Sequence, residues 1–241
     1  MDMGTIVRTI GGEFTASRPT TVMQRKAMRA ICRCRTPAAG GHRDRCDTCG
    51  HEAILWNSCR NRHCPRCQSE ARAKWLEARR KELLPVPYFR VVFTVPDKLN
   101  EIALYAPAVF YDLLFRSVAQ TLLEIGESRM GARLGFLGVI HTWGQQLTLH
   151  PHIHCIVPGG GFSLDGKRWI ASSPKFFLPV KVLSRRFRTV MCQRLREAYR
   201  SGELHLPARV AEDSTAFDLL LARACHRDWV VYSKRPFGGP E

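Results

Sequence analysis

Residues 150–161 read His150-Pro151-His152-Ile153-His154-Cys155-Ile156-Val157-Pro158-Gly159-Gly160-Gly161. Alternation at period two is the signature of a β-strand, whose successive side chains point to opposite faces. His150, His152 and His154 therefore share one face, and Ile153, Cys155 and Val157 share the other and can bury. Such a strand belongs in a sheet with one face covered and one open. A row of neutral imidazoles on the open face is a site for a divalent ion or a phosphate. The glycines that follow allow close backbone approach or a sharp turn.

Charge narrows the function classes. Among 241 residues, Lys and Arg number 37 and Asp and Glu 21, a formal charge of +16. The excess is spread along the chain and exceeds what solubility requires, so nucleic acid is the expected partner. No apolar run is long enough to span a bilayer, and no N-terminal apolar region resembles a secretory signal. No membrane role is expected, and the expected location is the cytoplasm, on the nucleoid. Ten cysteines without an export signal point to metal binding and reduced thiols.

Cys46-x2-Cys49 and Cys64-x2-Cys67 have the spacing of two zinc knuckles. Four thiolates would close a tetrahedral, structural Zn2+ site. Cys59, His63, His42 and His51 lie close enough in sequence to replace a ligand or join a second site. Cys32 and Cys34, at the end of a helix expected from Pro19 with Thr20 or Thr21 as its cap, read as small buried side chains. A helix is expected over 68–84, with Ala71, Trp75, Ala78 and Leu83 facing inward. Arg60, Arg62, Arg66, Arg72, Lys74, Arg79 and Arg80 make this region basic and are candidates for DNA phosphate contacts. Glu70, Glu77 and Glu82 offset several of these charges, as on a merely solvated helix face.

Pro85-Val86-Pro87 separates a domain at 1–84 from one at 88–241. Beyond it the pattern predicts a strand over 88–95, a helix over 102–127 interruptible at Pro107, and a strand over 131–143. The histidine strand, an excursion over 162–173, helices over 180–201 and 217–225, and a strand over 229–233 follow. Residues 1–18 give only weak signals. The expected fold class is α+β: an N-terminal helix plus zinc ribbon, then a ferredoxin-like βαββαβ core with a mainly antiparallel sheet.

His152-Ile153-His154 resembles the histidine–hydrophobic–histidine signature of the HUH endonucleases. Trp143-Gly144-Gln145-Gln146, His150 to His154 and Val157 to Gly161 together are similar to the rolling-circle transposases of the insertion-sequence-91 family. So are Asn57 to Cys67 and Tyr232 to Glu241. The resemblance implies metal-dependent cleavage and joining of single-stranded DNA at element ends. A tyrosine attacks the phosphate, and Mg2+ or Mn2+ is held by His152 and His154, with His150 and Gln146 as further candidates. In that family two tyrosines, with three residues between them, follow the Pro-Phe-Gly-Gly-Pro segment. Tyr88, Tyr105, Tyr111, Tyr199 and Tyr232 show no such pair, and Tyr232 reads as a packing residue. The resemblance thus implies a truncated transposase that binds DNA without cutting it, its tyrosine pair expected beyond Glu241.

Two alternatives come from other classes. His150-x-His152-x-His154 also resembles the histidine-triad nucleotide hydrolases and transferases, although Pro151 occupies an apolar position of that motif. The other is a non-enzymatic zinc-ribbon nucleic-acid-binding protein.

Overall fold

The computed structural model describes residues 2–146, 148–173, 177–234 and 236. They form two compact units, Met1–Leu83 and Leu84–Glu241.

The first unit begins with α1 (Met3–Ser17) and α2 (Val22–Arg33). Residues 1–18, weakly patterned in sequence, are thus mostly helix, started by the Asp2 side chain accepting from the Thr5 amide at 2.8 Å. Thr21 and Gln24 form a reciprocal capping box at the start of α2. The hairpin of β1 (Gly41–Arg45) and β2 (Glu52–Trp56) follows, then α3 (Pro65–Lys81). None of the inward-facing side chains expected on α3 is buried; Ala71, Trp75, Ala78 and Leu83 are exposed. The buried cluster of this unit is small: Ile31, Cys34 and Cys64, flanked by Val7, Cys59 and Cys67. A unit with so little apolar core needs another source of cohesion.

The second unit is built on four antiparallel strands in the order β5–β6–β3–β9: β3 (Tyr88–Thr94), β5 (Leu137–Trp143), β6 (Leu149–Pro158) and β9 (Val231–Ser233). Between β3 and β5 run α4 (Asn100–Tyr105) and α5 (Pro107–Met130), divided at Pro107. After β6 come α6 (Val180–Arg200) and α7 (Ser214–Cys225). The strand–helix–strand–strand–helix–strand sequence and the α+β class agree with the expectation. The region expected as one strand over 131–143 is instead two. The first, β4 (Ala132–Arg133), pairs with β7 (Gly160–Ser163), which pairs with β8 (Trp169–Ala171) in a separate three-stranded sheet. The close approach is possible because Gly161 has no side chain: a Cβ there would lie 2.4 Å from the Arg133 carbonyl oxygen.

One face of the four-stranded sheet is the core. Phe93 opposes Ile153, Val91 opposes Cys155 and Phe89 opposes Val157, and all six are buried. Helices cover this face: the Phe93 and Phe187 rings meet edge-on at 5.2 Å. Cys192 on α6 and Cys225 at the end of α7 are joined by a disulfide, which departs from the expectation of reduced thiols. The closing segment read as a family match falls mostly outside the described residues.

Candidate metal centres

In the first unit, Cys34, Cys59, Cys64 and Cys67 bring their four sulfur atoms within 4.8 Å of one another. Cys34 Sγ lies 3.5 Å from Cys67 Sγ and 3.7 Å from Cys64 Sγ, and Cys59 Sγ lies 3.6 Å from Cys67 Sγ. A tetrahedron with Zn–S bonds of about 2.3 Å has edges of about 3.8 Å, so the spacing suits zinc. The Cys59 amide donates to Cys34 Sγ at 3.5 Å. Burial pushes the Cys59 thiol up to about 12. Burial also acts on Cys67, but hydrogen bonds from Cys34 and Cys59 outweigh it and bring that thiol down to about 7.

This cluster differs from the ligand set expected from spacing. Cys64, Cys67 and Cys59 take part, Cys34 is added, and Cys46 and Cys49 are not brought to them. The hairpin explains why. At its base the Arg35 amide donates to the Asn57 carbonyl at 3.0 Å, which draws Cys34 beside Cys59. Five residue pairs, from Gly41 with Trp56 to Arg45 with Glu52, then carry Cys46 and Cys49 outward, about 17 Å at the rise of a strand. Cys46 and Cys49 sit exposed in the tip turn, where amides of Cys49 and Thr48 lower the Cys46 thiol. His63 is exposed at the start of α3, its amide held by the Asn61 side chain at 2.9 Å.

The basic residues named from sequence lie in the loop before α3 and along it, nearly all exposed. Arg66 pairs with Asp2, Lys74 with Glu70 and Arg79 with Glu82. Among the described residues, no carboxylate lies within ion-pair distance of Arg60, Arg62, Arg72 or Arg80, so these four carry the uncompensated charge.

In the second unit, β6 follows the predicted alternation: Pro151, Ile153, Cys155 and Val157 are buried and the histidines face outward. His141, His152 and His154 place ring nitrogens within 4.8 Å of one another. His141 comes from β5, where it lies directly opposite His152. Its ring centroid is 4.4 Å from that of His154 and 5.3 Å from that of His152. The His150 carbonyl accepts from His152 Nδ1 at 2.7 Å, which leaves Nε2 of His152 with the free lone pair. Burial, then the neighbouring His141, His152 and Arg90 charges, lower His154 to about 4. Burial and His152 also lower His141. Both rings are thus biased to the neutral, ligating form.

His150 and Gln146 do not complete this triad. They line its cavity, about 720 Å3, with Trp143, Gly144, Gln145, Thr148, His152 and His154. Sequence reasoning missed His141 because it weighed ligands on a single strand. The readable signal was the predicted antiparallel neighbour carrying Val139, His141 and Trp143 at the same period. Tyr232, expected to pack, is exposed on β9.

Residues 6–95 match the family described as "Transposase zinc-binding domain", and residues 135–241 match that described as "Putative transposase". A "Putative transposase y4qJ" of Sinorhizobium fredii is 50% identical over 245 aligned positions, covering 100% of this chain and 62% of that protein. The chain belongs to the insertion-sequence-91 family of transposases. A "Transposase for insertion sequence element IS801" of Pseudomonas savastanoi pv. phaseolicola is 36% identical over 119 residues, covering 49% of this chain and 28% of that protein. The chain thus spans less than two thirds of the curated relatives it matches. Among solved structures, the relaxase TrwC complexed with a 27-mer DNA shows a slight likeness: TM-score 0.36, 17% identity, over 45% of this chain and 44% of that one. Among the described residues of the chain, no helix is long and apolar enough to cross a membrane.

Proposed function

We propose that the second unit is the DNA-processing centre of this transposase and that it works on single-stranded element ends. The observation that carries this reading is the cluster of three imidazoles on an open sheet face, beside a large cavity, in a chain of this family. His141, His152 and His154 would hold the divalent ion, and imidazole donors favour Mn2+ over Mg2+. When bound, the ion supplies polarisation of the scissile phosphate. The chain's own contribution is positional. The His150 carbonyl fixes the His152 ring, and the sheet register fixes His141 against it.

The first unit, over residues 1–84, would be a DNA-contacting domain closed by structural zinc. Arg60, Arg62, Arg72 and Arg80 would meet phosphates without first breaking an ion pair. Residence in the cytoplasm on the nucleoid accompanies this reading. The histidine-triad alternative finds less support, since the third ring of the cluster comes from β5 and His150 stands at the rim.

The test is incubation with labelled single-stranded DNA and Mn2+. We expect metal-stimulated binding of the single strand. Absence of binding to any single strand, with metal at the histidines, would overturn the DNA-processing reading itself.

A further inference from the structure

The open face of the four-stranded sheet can be mapped row by row, because directly opposed residues share a face. One row runs His141, His152, Thr94. The next runs Val139, His154, Val92, Tyr232 across all four strands. In the row after that Leu137, Ile156 and Arg90 align. Lys234 joins them, its amide donating to the Arg90 carbonyl at 3.0 Å. Before the first row, at the far end of β5, stands Trp143.

Two exposed aromatic rings therefore occupy opposite corners of one sheet face. Trp143 is 50% exposed and so is Tyr232, although rings of this size usually bury. Trp143 lies flat against His141, with centroids 4.9 Å apart and planes 13° apart. One ring face is thus used, and the side chain borders the histidine cavity. Three strand spacings and two rows separate the corners, a diagonal of about 20 Å. The three histidines stand on β5 and β6, in the two rows that this diagonal reaches from Trp143. Arg90 and Lys234, both exposed, supply positive charge beside Tyr232.

Flat aromatic surfaces on one face, with cations beside one of them, suit a nucleic acid whose bases are free to leave their own stack. A duplex keeps its bases paired and offers this face only phosphates. We propose that Trp143 and Tyr232 are base-stacking platforms at the two ends of a single-stranded DNA track that runs diagonally over the histidines, with Arg90 and Lys234 on its phosphates. The inference rests on the DNA-processing reading above and adds to it the strand's path and its two anchors.

Fluorescence anisotropy with one labelled oligonucleotide, as single strand and as duplex, tests the track in the 241-residue chain. Stacking on one aromatic is worth about 5- to 150-fold in affinity. Trp143→Ala and Tyr232→Ala should each weaken single-strand binding by a factor in that range. Trp143→Phe and Tyr232→Phe should restore most of it, and duplex affinity should stay unchanged. Arg90→Ala should instead reduce the salt slope by about one ion, a change the aromatic variants should not show. Mn2+ binding by Tyr232→Ala reports that the sheet is intact. Wild-type affinity in either alanine variant overturns the track, as does an equal loss for single strand and duplex. If the wild-type protein binds no single strand, the DNA-processing reading falls and the track with it. If it binds and the aromatic variants match it, only the track falls.

Discussion

His152 lends its Nδ1–H to the carbonyl of His150, the residue two positions earlier on the same strand. The flanking histidine thus serves through its backbone, and the third imidazole comes from the neighbouring strand. His141→Ala should abolish Mn2+ binding at the site, while His150→Ala should weaken it far less; titration of the zinc-loaded protein with Mn2+ separates the two. At the thiolate cluster, Cys34→Ser should cost the zinc of the first unit, whereas Cys46→Ser should leave that zinc in place. Elemental analysis with circular dichroism would show it, and the opposite ranking would restore the ligand set read from spacing. That Cys64 and Cys67, and His152 and His154, come together was legible because each pair sits within one local element. Cys34 and His141 were not, because each reaches its partners through hydrogen bonds between segments distant in sequence.

The helices and strands of the second unit were legible almost throughout, since an amphipathic stripe or a period-two run reports the single core they share. The division of residues 131–143 was not legible, because it depends on how closely Gly161 lets another backbone approach. Gly161→Ala should therefore destabilise the second unit by about 1–3 kcal/mol, the usual cost of forcing atoms into filled space; a chemical denaturation midpoint equal to wild type would contradict it. Between α5 and α6, the Arg186 guanidinium holds the Glu124 carboxyl below its usual range by a hydrogen bond that outweighs burial. A carboxyl depressed in the folded state adds stability above its unfolded value, and that stability is lost as pH falls through the folded value. Both side chains are more than a third exposed, so Glu124→Gln should cost less than about 1 kcal/mol. The cost should be present at neutral pH and vanish in acid, in paired melts of variant and wild type.

On the scale of the whole molecule, the two units are stabilised by different means. The second buries a large apolar cluster that runs from Phe89 to Trp229. The first buries Ile31 and two cysteines, with the remaining thiolates packed beside them. A zinc chelator should therefore expose residues 1–83 to protease and leave the fragment from residue 84 onward resistant; simultaneous loss of both would show that they depend on one another. Composition and charge foretold a nucleic-acid partner, but not which unit depends on metal for its fold. The thiolates also impose an order on biosynthesis. Cys34 ends α2, and its partners Cys59, Cys64 and Cys67 come later in the chain. With all four sulfurs on one zinc ion, the helices made first would close their core only once Cys67 has left the ribosome, the nascent N-terminus waiting, unfastened, for the last of its own sulfur atoms.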